Sequence, residues 1–113
     1  MIYAILGVTL AATGSLGALY PHATIETPIA HEQCGTRYTL STPDPIDKVA
    51  DFYEAQAAAA GVQLFDDSAD KFPDYRTLLF LAKPRFMFVL MDRKGAQTTI
   101  RVAYTLTVAP GCA

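Results

Sequence analysis

The first 25 residues of the chain contain no aspartate, glutamate, lysine or arginine. Tyr3 and Tyr20 frame the apolar run Ala4 to Leu19, and Pro21 follows it. About 20 uncharged, mostly apolar residues are enough to cross a bilayer as one helix, and tyrosines at both ends are typical of such a helix. The segment therefore predicts a transmembrane anchor helix over residues 1–20.

Small residues recur along one side of this predicted helix at spacings of three and four. Such a side lets the backbone of a second membrane helix approach closely. We expect it to pack against other transmembrane helices through Ala4, Gly7, Ala11, Gly14 and Ala18. A cleaved signal peptide is the alternative, although it lacks a basic n-region and a clean cleavage site. A helix buried in the protein core is a third interpretation.

Residues 21–33 contain two prolines, two histidines and two glutamates, without a helical or strand period. This composition predicts an extended linker. His22, Glu26, His31 and Glu32 match no metal-ligand spacing, and a flexible segment would have to become ordered before it could bind a metal. We therefore predict neither a metal nor a cofactor.

Residues 34–113 are long enough for one small domain. The segment Arg37–Ser41 alternates as a half-buried strand, and a helix then runs from an N-cap at Asp44 to about Ala60, with Gly61 ending it. Four further strands are predicted, over Val62–Phe65, Arg76–Ala82, Phe86–Met91 and Thr98–Val108. The predicted fold is α+β: the transmembrane helix, then a β-α-β-β-β-β domain whose antiparallel sheet carries one helix on one face.

The positions of the two cysteines indicate the cellular compartment in which the domain lies. Cys34 and Cys112 bracket the domain, a placement typical of a disulfide in an oxidising environment. A sheet order of 1-5-4-3-2 would bring the start of the first predicted strand beside the end of the last one, in agreement with that pairing. Two unrelated thiols are the alternative. We expect a bacterial inner-membrane protein with its domain on the periplasmic side.

The stretch Tyr38 to Gly61 has the pattern ST-x-D-x-x-x-x-V-x-x-FY, in which the fixed positions are Ser41, Thr42, Asp44, Val49, Phe52 and Tyr53. It resembles the start of a group of small bacterial cell-envelope domains of uncharacterised function. The resemblance implies an extracytoplasmic strand, helix and β-meander, usually behind a signal sequence or an anchor. It brings no catalytic residues.

The balance of charge and the placement of the carboxylates restrict the functions that we expect for this domain. Within residues 34–113 basic and acidic residues are equal in number, nine of each, so no net field favours nucleic acid. The carboxylate pairs Asp47/Asp51 and Asp66/Asp67/Asp70 are expected to be solvated, and a Ca²⁺ site there would lack the EF-hand spacing. We predict that the protein is not an enzyme, and a hydrolase using Asp66 or Asp70 is the weakest alternative.

The central strands are apolar on both sides, whereas one helix covers only one face of a sheet. We expect the second face to bind a partner unless the loop at 66–75 or the linker folds over it. The residues assigned to this partner surface are Leu79, Leu81, Met87, Val89 and Met91. The predicted function is a non-catalytic accessory subunit of a membrane protein complex, in contact with its other subunits and the lipid bilayer. The alternative is a secreted or periplasmic small binding module.

Overall fold

The computed structural model describes residues 16–32, 34–69 and 71–105 of the chain. They form a six-stranded antiparallel sheet of order β1-β2-β6-β5-β4-β3, with one helix packed on it. The elements are β1 Thr24–Glu32, β2 Gly35–Thr42, α1 Ile46–Ala59, β3 Gln63–Asp67, β4 Tyr75–Ala82, β5 Arg85–Lys94 and β6 Gln97–Thr105. Without β1, the order of the strands is the predicted 1-5-4-3-2.

Helix α1 begins one residue later than the sequence predicts. Its N-cap is Pro45, which has extended φ and ψ of −71° and 160° and offers no side-chain cap. Asp44, the predicted cap, instead accepts a hydrogen bond from the hydroxyl of Tyr20. The predicted end is confirmed, because Gly61 follows the helix with a φ of +75° and the Val62 amide bonds the carbonyl of Ala57 at 2.9 Å.

The core lies between one face of the sheet and a layer made of α1 and the segment 16–23. We call this face of the sheet the inner face. Helix α1 covers the inner face over β3, β4 and β5. The buried apolar residues are Leu16, Tyr20, Tyr38, Leu40, Val49, Ala50, Tyr53, Ala57, Val62, Leu78, Phe80, Met87, Val89, Met91, Ile100 and Val102.

The segment 16–23 completes the layer beside α1, where β2 and β6 need cover. Leu16 and Tyr20 are 4% and 6% exposed, and a Cβ added at Gly17 would clash with the ring of Tyr104. The Gln56 side chain of α1 accepts a hydrogen bond from the Gly17 amide and donates one of 3.3 Å to the Ala18 carbonyl. These contacts make the segment part of the domain.

The predicted transmembrane helix is therefore wrong where the structure describes it. Residues 16–20 form a turn followed by a stretch without regular secondary structure, and none of the helices within the described residues is long and apolar enough to cross a membrane. The physical reason is that a helix of 14 residues leaves part of the inner face open, and these apolar residues cover it. The rest of the predicted helix, residues 1–15, lies outside the described residues.

A strand occupies most of the predicted linker. β1 pairs antiparallel with β2 along the sheet edge, so the sheet has six strands and not five. Its register shifts twice, between Ile25 and Thr27 and again between Thr27 and Ala30. Such irregularities interrupt the alternation of faces, which is why the sequence of this strand shows no period of two.

The ends of β2 and β6 lie side by side, as the predicted sheet order requires. Thr36 pairs with Tyr104, next to Cys34 in the turn between β1 and β2. No described cysteine is free. The other half of the predicted disulfide, Cys112, lies outside the described residues, as do positions 106–108 of the last predicted strand.

Candidate functional site

The sheet face that points away from α1, the outer face, carries a continuous apolar surface on β4 and β5. Leu79 pairs with Phe88 and Leu81 pairs with Phe86, and directly paired residues project to the same side of a sheet. Five large side chains on this side are half-buried, and we call them the outer stripe: Leu79, Leu81, Phe86, Phe88 and Leu90.

None of the elements in the described ranges lies across the outer stripe. Helix α1 and the segment 16–23 both pack on the inner face, and β1 extends the sheet at its edge. The loop after β3 returns along β4, where the Ser68 amide bonds the carbonyl of Thr77 at 3.0 Å. Neither the predicted linker nor this loop therefore covers the stripe.

Two arginines border the outer stripe on the side of β6 and β2. Arg101 lies opposite Leu90, while Arg37 lies opposite Ala103, so both project from the outer face. They are diagonal neighbours on adjacent strands, about 7–8 Å apart. Arg37 pairs with Glu32 at 2.7 Å, both side chains being at least half exposed. This basic flank places positive charge next to the apolar surface.

A shallow groove of about 370 Å³ lies between the outer stripe and β1, and both arginines of the basic flank line it. Phe88 and Arg101 line one side of it, while Pro28 from the irregular strand β1 lines the other. The small side chain of Ala103 between them leaves the space open. The groove can therefore receive a large apolar side chain next to positive charge.

Acidic charge borders the outer stripe on its other side. Asp66 of β3 lies opposite Leu79 and is exposed, so its carboxylate projects from the outer face. The extra residue of the bulge before it, Phe65, is 70% exposed. Across the sheet the outer face thus runs from acidic through apolar to basic.

The predicted partner surface mixes the two faces of the sheet. Leu79 and Leu81 belong to the outer stripe, as expected. Met87, Val89 and Met91 are fully buried beneath α1 and form part of the core. Period-two alternation identifies which residues share a side within one strand, but only pairing between β4 and β5 shows which sides of the two strands coincide.

The predicted helix-packing side has one described member, Ala18. It is exposed, and its carbonyl accepts hydrogen bonds from Tyr38 and Gln56 within the domain. The other four residues, at positions 4, 7, 11 and 14, lie outside the described residues.

Two of the acidic residues singled out by the sequence, Asp47 and Asp67, meet at one arginine, whereas Asp66 lies on the outer face. Arg76 of β4 holds Asp67 through two hydrogen bonds, of 2.8 and 3.0 Å, and also reaches Asp47 at 3.0 Å and Glu54 at 3.4 Å. The hydrogen bond from Arg76 lowers the pKa of the Asp67 carboxyl, and the same bond raises the pKa of the guanidinium. The cluster ties β3 and β4 to α1.

An open cleft of about 950 Å³ lies beside this cluster, between the start of α1 and the loop that leads into β4. Asp47 and Asp51 line it together with Lys71, Phe72 and Arg76. Because charges of both signs are mixed along it, the cleft favours no ligand of one sign. Asp70 lies outside the described residues.

The histidines and glutamates of residues 21–33 do not share a common partner. Glu26 accepts a hydrogen bond from Ser41, His31 contacts Thr36 at 3.1 Å, and Glu32 pairs with an arginine. His22 lies in a turn with a φ of +61°. Among the described residues no three histidine, cysteine, aspartate or glutamate side chains converge on a possible metal position.

A cluster of tyrosines that sequence reasoning missed fixes the segment 16–23 to the sheet. The Tyr38 hydroxyl donates to the carbonyls of Gly17 and Ala18, at 3.0 and 3.2 Å, and lies 3.3 Å from the hydroxyl of Tyr53. Burial raises the pKa of Tyr20 and of Tyr53 to about 12. The inward position of Tyr38 and Tyr53 in their periodic patterns was the available signal.

Comparisons of the chain with protein-family models, with curated proteins and with solved structures find no match. The resemblance to bacterial cell-envelope domains therefore stays a prediction that depends on its short motif.

Proposed function

We propose that this domain is a non-catalytic protein-binding module that takes its place in a larger assembly by docking a partner on the outer stripe. The single observation that carries the proposal is that five large apolar side chains share one face on which no described element packs. Contiguous apolar patches on small domains usually mark interaction sites. This proposal does not depend on a membrane anchor.

The energy available on this face fits a weak association. Complete burial of a large apolar side chain stabilises by about 1.5–3 kcal/mol, and less than a third or so of each of these five side chains is left uncovered, so a partner gains at most roughly 3–5 kcal/mol from them. Part of this gain offsets the entropy lost on association. The flanking charges then supply orientation and specificity.

The sheet edges are poorer candidates for docking than the face. β1 carries Pro28 and two register shifts, and β3 is a strand of five residues with a bulge and two aspartates. Short, bulged or charged edge strands disfavour the addition of another strand. We therefore favour the outer face, and not an edge strand, as the interaction surface.

Photo-crosslinking in living cells tests the proposal. A photoreactive phenylalanine analogue replaces Phe88 of the outer stripe, and in a matched control it replaces Phe72, which is 51% exposed on the loop before β4. We expect a discrete crosslinked protein product from position 88 and none from position 72. Equal labelling at both positions, or no product from position 88, would refute the proposal.

A further inference from the structure

We propose that the partner on the outer stripe is a second copy of this chain, packed face to face about a two-fold axis that passes beside Phe88, parallel to β5. This inference rests on the proposed function, since it names the occupant of the same surface. We infer the two-fold arrangement from the order of residues along one row of the outer face.

That row crosses five strands in register. Asp66 pairs with Leu79, Leu79 with Phe88, Phe88 with Ala103, and Ala103 with Arg37. Adjacent strands lie about 4.8 Å apart, so Asp66 and Arg37 stand about 10 Å from the central strand, on opposite sides of it. Phe88 is the midpoint of the row.

A two-fold rotation about an axis parallel to the central strand reverses this row onto itself. Asp66 of each copy then faces Arg37 of the other, Leu79 faces Ala103, and Phe88 faces Phe88. The dimer thus contains two Asp66–Arg37 pairs, one on each side of the axis. Each Leu79 also lies against the groove that the small side chain of Ala103 leaves open in the other copy. An axis perpendicular to the strands would set Arg37 against Arg37, so the charges select the first arrangement.

The surface has the size of a weak, reversible interface, and its charges are available. From β3 to β2 it is about 19 Å wide, and six residues of strand give it a length of about 20 Å, so each copy contributes roughly 400 Å², half of what each partner buries in a standard specific interface. Arg37 is already paired with Glu32 within its own chain, but that pair is exposed. Exposed ion pairs are weak, so Arg37 can exchange this partner at little cost.

Sedimentation equilibrium of the full chain over a concentration series tests the inference. We expect a reversible dimer. Arg37→Glu and Asp66→Lys should each weaken the dimer roughly tenfold or more, because each change affects two symmetric ion pairs, and the double variant should regain most of the loss. Lys71→Glu, the same change of charge on the loop before β4, should have no effect.

Phe88→Glu should abolish the dimer, while Phe72→Glu should not. Circular dichroism checks that each variant is folded, and the charge exchange keeps the test decisive if Phe88→Glu does not fold, because positions 37 and 66 are exposed.

A chain that stays monomeric throughout the series overturns the inference, as does a dimer that the charge exchange neither weakens nor restores. A crosslinked product from position 88 of a mass other than twice the chain also overturns it and leaves the proposed function standing. A monomer without any product from position 88 overturns both.

Discussion

Replacing Gly17 with alanine tests whether the apolar opening of the chain is built into the domain. A Cβ at this position would lie 2.7 Å from Cδ1 of Tyr104 and closer still to Cε1 and Cζ. Overpacking of this kind costs about 1–3 kcal/mol. The φ of +85° adds roughly 1–2 kcal/mol of backbone strain for any residue with a side chain.

Gly95→Ala is the matched control. Gly95 lies in the turn between β5 and β6 with a φ of +60°, and a Cβ there meets nothing within 4 Å. Both substitutions share the backbone strain and the lower entropy of the unfolded chain. We therefore expect Gly17→Ala to reduce the free energy of unfolding by about 1–3 kcal/mol more than Gly95→Ala does.

Urea unfolding followed by circular dichroism measures this difference, and in thermal unfolding each kcal/mol corresponds to about 4–8 °C for a domain of this size. In a Tyr104→Leu background the excess should shrink, because the clashing ring is gone. Equal losses for the two glycines, or an excess that persists without the ring, would show that the segment 16–23 does not pack as described.

Three further predictions concern the core and the ion pairs. Leu16→Ala should lower the free energy of unfolding in urea by about 2–5 kcal/mol and Leu19→Ala by less than about 1 kcal/mol, because the first side chain is 4% exposed and the second 38%. Similar losses for the two variants would contradict the packing of Leu16 in the core. The pKa of Asp67 is lower in the folded protein than in the unfolded chain, so on acidification the unfolded chain binds the proton first. The stability that the ionised carboxylate contributes is therefore lost as pH falls below about 4, and Asp67→Asn should flatten that loss in acid unfolding curves. Since burial raises the pKa of Tyr20 and Tyr53 to about 12, the unfolded chain ionises first, and stability should fall between about pH 10 and 12, less steeply in Tyr53→Phe.

Local sequence patterns predicted much of the fold. The apolar spacing in α1 and Gly61 after it identified the helix, alternation located β2 and β6, and continuous apolar runs located β4 and β5. The order of those strands followed from short connections and antiparallel pairing. The sequence could not reveal β1, because two shifts of register remove its alternation.

The candidate site was only partly accessible from sequence. Two-sided apolarity in β4 and β5 correctly indicated a second apolar face, and Leu79 and Leu81 belong to it. Met87, Val89 and Met91 were assigned to the wrong side because alternation within β5 does not show which of its sides faces the helix. Neither Asp66 nor Arg37 was singled out as part of that face, since their common row exists only once five strands are in register.

The sequence by itself determined the helix, the β-meander and the presence of two apolar sheet faces, because these depend on periodicities within single segments. It left open the destination of the uncharged opening segment, for which a bilayer and a protein core are equivalent apolar surroundings. Only the tertiary structure decided that Leu16 and Tyr20 enter the core, because α1 leaves the inner face over β2 and β6 to be covered by another part of the chain. The same packing decided which side chains remain on the outer face.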